Sequence, residues 1–294
     1  MRRQHGESGQ ATVLFALAAV TILSVASLSL DAGRAYVKTQ QLKAAADAAA
    51  LAGGQDLPQD PAGATSVAVA TAVQNGVPSQ DVQVTLNQQD DVITVTTTGG
   101  IPYYFASLFG MDQGTFRETS AVQVGPISEV TGAMPLGVVW NSFTYGQTYT
   151  LKDGGGEGSD GNYGGLALGG NGANTYQNNL TGGYQGALQV GQVVETEPGN
   201  MEGPTSQGLE ERVAAGSGYS WQTVPMSSPA VVDVPIISQP DNGKTEVTIL
   251  GFAAFFITSV GCHGAVKGVF LNTVSSGQFG SGTGYGLQAE RLIE

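Results

Sequence analysis

Residues 11–54 read ATVLFALAAVTILSVASLSLDAGRAYVKTQQLKAAADAAALAGG, and the reading of this stretch decides the fold. Its first twenty residues, Ala11–Leu30, contain no charge, proline or glycine. At about 1.5 Å per helical residue they span roughly 30 Å, the thickness of a bilayer's hydrocarbon core. Water cannot satisfy backbone groups there, so a lone segment of this kind must be helical. Two blander readings compete. A buried core helix seldom lacks a polar face over so long a run. A removable secretory signal has a shorter apolar region, about 7–15 residues, and here the helical pattern carries straight on. A retained anchor is the expectation.

Beyond Leu30 the stretch turns alanine-rich. Alanine is the best helix former, and nothing before Gly53-Gly54, a standard C-terminal signal, stops a helix. One continuous helix to about residue 53 is expected to leave the membrane and project several turns beyond it. Alanine also permits close backbone approach. Ala46, Ala49 and Ala50, at i, i+3 and i+4 spacing, share one side and are the expected partner-packing residues.

Gly9-Gln10, the apolar run, Asp31-Ala32-Gly33-Arg34, Tyr36, Gln41-Leu42 and Ala46–Ala52 (ADAAALA) together resemble the amino-terminal signature of TadE/TadG-like proteins. The resemblance covers about the first 55 residues. It implies a role in the tight-adherence (Flp) pilus assembly machinery, a pseudopilin-like build, and partners among other pilus-assembly proteins or pilins. It also implies a cytoplasmic amino terminus (residues 1–10), a single pass through the cell membrane (11–30) and an extracytoplasmic bulk. The basic flanks do not settle orientation by themselves. Arg2 and Arg3 lie before the run, but Arg34, Lys38 and Lys43 lie after it. Prepilin processing cuts after a glycine and places glutamate fifth. Cutting after Gly6 or Gly9 would put Ala11 or Leu14 there, so this pattern is missing.

The remaining chain reads as α+β. Ala62–Gln74 is a small-residue helix candidate closed by Asn75-Gly76. Residues 82–86 and 92–98 then alternate with period two around the loop Asn87–Asp91, a hairpin. Pro102–Phe109 reads as a short helix with proline at its start, and Phe116–Val124 as a third strand. This makes residues 55–124 a pilin-like α+β domain, and Gly125–Pro135 a linker. Residues 136–294 read as a β-rich, glycine-rich domain with strands at 136–140, 148–152, 165–168, 188–196, 230–237, 245–260 and 265–274 and a helix near 206–215. Val247–Val260 is apolar, but its fourteen residues, β-branched and holding Gly251, favour a buried strand or a bent strand pair over a second span.

Composition narrows the function. With 294 residues, net charge −13 and 12% charged residues, the chain has no basic patch to neutralise phosphates, which argues against nucleic acid. The single Cys262 excludes an internal disulfide framework. Asp153–Asn162 (DGGGEGSDGN) offers oxygen ligands for a hard cation in Asp153, Glu157, Asp160 and Asn162. It matches the start of a calcium nonapeptide only once, and such repeats work by stacking. A solvated loop is the expectation, with calcium as the alternative and no other cofactor. Cys262-His263 is a poor nucleophile–base pair, since neighbours on a strand point to opposite faces. No catalytic residues are assigned. The expected function is a membrane-anchored structural or assembly component that acts by protein–protein packing. The alternatives are a membrane-tethered binding module for a surface ligand, such as a calcium-dependent adhesin, and then a tethered hydrolase.

Overall fold

The computed structural model describes residues 7–140, 143–152, 163–197, 201–239, 246–275, 277–280 and 282–293. These form two compact units: residues 1–53, 61–122 and 292–294 in the first, residues 54–60 and 123–291 in the second.

Helix α1 (Glu7–Gly54) runs unbroken for 48 residues. Four hydroxyls along its apolar run are satisfied within the helix: Thr21, Ser24, Ser27 and Ser29 donate to the carbonyls of Leu17, Val20, Leu23 and Val25. Hydroxyls bonded this way add no unsatisfied polar group to an apolar run. The apolar stretch has no burial inside the protein. From Asp31 onward one face is covered. Asp31, Leu42, Ala45, Ala46, Ala49 and Ala50 are buried at helical spacing, with exposed residues between them.

Helix α2 (Pro61–Gln74) buries its own alanine stripe, Ala64, Ala68 and Ala72. The last turn of α1 meets it at Gly53. A Cβ there would lie 2.8 Å from the Ala64 carbonyl oxygen and 2.5 Å from Ile93 Cδ1. The Gly53-Gly54 pair therefore ends the helix as expected, but Gly53 is required for close packing rather than for a left-handed cap. Strands β1 (Val82–Leu86) and β2 (Val92–Pro102) form the expected hairpin, with Val82 opposite Thr97 and Leu86 opposite Ile93. Asn87 Oδ1 closes the turn by accepting the Asp91 and Val92 N–H groups. Ile93, Val95 and Thr97 face inward, and the Thr97 hydroxyl donates to the Leu42 carbonyl at 2.9 Å.

Strand β3 (Gln113–Thr131) is 19 residues long and follows β2 in the sheet. It corrects two expectations. The third strand is far longer than 116–124, and Gly125–Pro135 is no linker, because residues 125–131 continue β3. Pro126 fits because its carbonyl accepts the Gly280 N–H and the ladder partners change around it. Pro102 ends β2 rather than starting a helix, and the expected helix shrinks to a 3-10 turn at Ala106–Phe109.

In the second unit come β4 (Leu136–Val139), β5 (Thr148–Lys152), β6 (Tyr163–Gly165), α3 (Ala173–Gly182), β7 (Ala187–Gln189), β8 (Val193–Glu195) and α4 (Glu202–Gly216). They are followed by β9 (Val231–Ile237), β10 (Glu246–Val260), β11 (Val266–Leu271), β12 (Thr273–Val274), β13 (Gln278–Phe279) and β14 (Leu287–Ile293), of which residues up to Arg291 belong to this unit. Among the described residues the main sheet has the order β5-β11-β10-β9-β4-β6, with β8 also on β10. β10 is apolar from Phe252 to Ile257 because both faces are covered there: Phe252, Ala254 and Phe256 enter one core, Ala253, Phe255 and Ile257 the other. It is a strand, as expected. The expected strand 188–196 is two strands, and 165–168 lies mostly after β6. Neither α3 nor β14 was expected.

Candidate functional site

The functional geometry of the first unit begins where α1 ends its apolar run. Asp31, the first charged residue after it, is buried and accepts three backbone N–H groups. Tyr104 reaches Oδ1 at 3.0 Å, while Phe105 and Ala106 reach Oδ2 at 2.8 and 2.9 Å. A short helical turn leaves its first N–H groups without partners, and a carboxylate is the strongest acceptor for them. Here the cap comes from a residue 73 to 75 positions away in sequence. One turn on, Arg34 donates to the Pro102 carbonyl at 2.8 Å and lays its guanidinium 4.0 Å over the Tyr104 ring. Asp31 and Arg34 thus clasp the 102–109 loop against the helix. Lys43 pairs with Asp47 one turn apart at 3.1 Å.

Ala46, Ala49 and Ala50 each have 0% exposure. This corrects their assignment as a partner surface: they are already covered within the chain, and small residues let α1 seat closely there. The uncovered side of α1 carries a different stripe. Ala26, Leu30, Gly33, Val37, Gln40 and Ala44 recur at alternating four- and three-residue steps and are exposed. A Cβ on Gly33 would meet nothing within 4 Å. Gly33 opens onto a shallow apolar groove whose walls include Leu30, Val37 and Ile101. The signal was present in sequence, as a heptad-like spacing on the face opposite the alanines, but the alanine cluster drew the assignment instead.

The second unit offers less. A cavity of about 330 Å³ is lined by Arg212, Asp233, Ser228 and Ser275 among others. The Arg212 guanidinium is already committed to the carbonyls of Leu180, Thr181 and Pro229. Burial pushes the Asp233 carboxyl up to about 6. Burial also pushes Tyr176 up to about 12, so its hydroxyl stays protonated. Cys262-His263 lies in a 3-10 turn rather than on a strand. His263 adopts a left-handed conformation (φ 62°), and its exposed ring pairs with Glu202 at 3.3 Å. Asp153, Glu157, Asp160 and Asn162 lie outside the described residues. Among the described residues no group of three or more His, Cys, Asp or Glu side chains is arranged to hold a metal.

Residues 9–56 match the model of the Tad family, Flp pilus-assembly TadE/G-like. No curated protein and no solved structure gives a match. The matched stretch is α1 itself, from its apolar run through the clasp and the alanine face to Gly53. The stretch that is similar to this pilus-assembly family includes a helix that is long and apolar enough to cross a membrane and whose apolar part is not buried inside the protein.

Proposed function

We propose that this chain is a structural component of a tight-adherence pilus assembly apparatus, held in the cell membrane by residues 11–30 and working through helix packing. In this reading its amino terminus is cytoplasmic and its two folded units are outside. Three features support it. The family match falls on the helix that couples membrane to domain. The matched Asp31 and Arg34 serve to brace that helix against its own loop rather than to build a cleft. The third carries the most weight: Gly33, in mid-helix, is uncovered by its own unit.

A glycine inside a helix costs roughly 0.5–1 kcal/mol relative to alanine. The first unit makes no use of the missing side chain. A partner helix does, because glycine and alanine at three–four spacing allow backbones to approach within and just outside a bilayer. The stripe Ala26, Leu30, Gly33, Val37 and Ala44 is therefore the packing surface toward another pilus component.

The test is Gly33→Leu. Because a side chain at this position points into open space, the variant should fold and insert as well as the parent. Recovery of other pilus-assembly proteins in a detergent pull-down, and surface pili on the cells, should both fall sharply. Full partner recovery with normal piliation would remove the packing role.

A further inference from the structure

The loop clasped by Asp31 and Arg34 carries Leu108 and Phe109, the most exposed large apolar side chains outside the anchor among the described residues, with Met111 beside them. Leu108 is 79% exposed, Phe109 73%, and Met111 55%. Such residues, clustered on one short loop of a folded unit, call for a partner. The loop is well tied: Met111 N–H returns to the Ala106 carbonyl, Ser107 Oγ donates to the Tyr104 carbonyl, and Gly110 takes the left-handed conformation that closes the turn. Its direction identifies the partner. Phe105, Leu108 and Phe109 share a groove of about 190 Å³ with Val20, Leu23, Ser24, Ser27 and Leu28 of α1. Those are residues of the apolar run, one to three turns back from Asp31.

The anchor leaves no slack to avoid the consequence. Twenty residues at about 1.5 Å each just match a hydrocarbon core of about 30 Å, so the apolar boundary must fall near Leu30. Whatever lies beside Val20–Leu28 then lies below that boundary. Above it, Arg34 and Tyr104 stack, and Tyr36 is exposed, the residue types that favour the headgroup region. We propose that the 104–111 loop is a second membrane contact: Leu108 and Phe109 insert among the lipid acyl chains beside α1 and seat the first unit directly on the outer face of the bilayer. All backbone groups of this shallow insertion need partners at that depth. The Asp31 carboxylate supplies the acceptor for three of them. The occupant is lipid, because the groove is continuous with the surface that the anchor already presents to lipid.

This inference rests on α1 being a retained span, and the experiment separates the two. In the full chain with Cys262→Ser, single cysteines at Leu108, Phe109, Val20 and Gln88 are spin-labelled and reconstituted into phosphatidylcholine–phosphatidylglycerol vesicles. Collision with oxygen reports lipid, and collision with a water-soluble nickel chelate reports solvent. Gln88 sits at the hairpin tip, with the eleven-residue β2, roughly 33 Å of strand, leading from that hairpin to the loop, and serves as the water control. The expected result is that labels at 108 and 109 behave like Val20, with nickel accessibility at least several-fold below Gln88. Labels at 108 and 109 that match Gln88, while Val20 stays lipid-accessible, would overturn the insertion and leave the anchor standing. Solvent accessibility at Val20 as well would overturn both. Leu108 and Phe109 are mostly exposed, so neither cysteine removes core packing, and agreement between the two guards against a local artefact.

Discussion

Asp233 projects from the central strand β9 into a cavity of the second unit, and its carboxyl titrates near 6 because burial disfavours the charge. The ordinary value is 3.8, so the folded state holds its proton more tightly than the unfolded chain. Below about pH 4 both states are protonated and the full stability is present. As pH rises from about 4 to 6 the unfolded chain ionises first and stability falls, levelling off above 6. Two pH units correspond to about 3 kcal/mol. Asp233→Asn is therefore expected to raise the thermal midpoint at pH 7.5 and to lose that advantage below pH 4. An unchanged midpoint at pH 7.5 would show that the carboxylate is solvated. Asp31 is the opposite case, an acceptor whose partners are all in place. Asp31→Asn should speed amide exchange at Tyr104, Phe105 and Ala106 while leaving the Ala64–Ala72 helix protected. Uniform protection in both would deny the cap.

At the scale of elements, the alanine faces of α1 and α2 are fully buried. Ala49→Leu adds volume where nothing is exposed, and overpacking of this kind costs about 1–3 kcal/mol. The midpoint of the first unit should drop, with helix content kept because leucine is nearly as good a helix former. Gly53→Ala should also destabilise, since its Cβ would meet a backbone oxygen that cannot swing away. A neutral result for both would mean that α1 is a loosely held stalk. Much of this architecture was legible. The apolar run, the alanine continuation and the period-two hairpin carry strong local signals, and β10 reads as a strand because it is too short to span. The misses have physical causes. α3 is Asn- and Thr-rich and held by Tyr176 and Leu180, buried in the core, and by Gly208 of α4, where a Cβ would lie 2.7 Å from Leu180 Cβ. Gly125-Pro126 reads as a breaker, yet β3 passes through it because tertiary partners outweigh local propensity. The Asp31 clasp was legible only as a motif. Its partners lie more than seventy residues away, and no local pattern joins them.

At the scale of the whole molecule, orientation is the property on which the functional proposal depends. Basic residues stand on both sides of the apolar run, but two of the three on the near part of the far side are engaged after folding: Arg34 on Pro102 and Tyr104, Lys43 on Asp47. Arg2 and Arg3 are the basic residues before the run, and a short basic flank normally stays cytoplasmic. The expected topology has residues 1–10 inside and everything beyond about Gly54 outside. Proteolysis is a poor probe, since two compact units resist cleavage wherever they lie. Labelling avoids that problem. With Cys262→Ser as background, Gln88→Cys on intact spheroplasts should react with a membrane-impermeant maleimide to the same extent before and after lysis. A cysteine at Gln4 should react only after lysis. Mass spectrometry of the purified chain should still find Met1–Gln10. An amino terminus beyond Leu30 would make α1 a cleaved signal and remove the anchor. A reversed labelling pattern would keep the anchor but put both folded units in the cytoplasm, where a surface pilus could not use them.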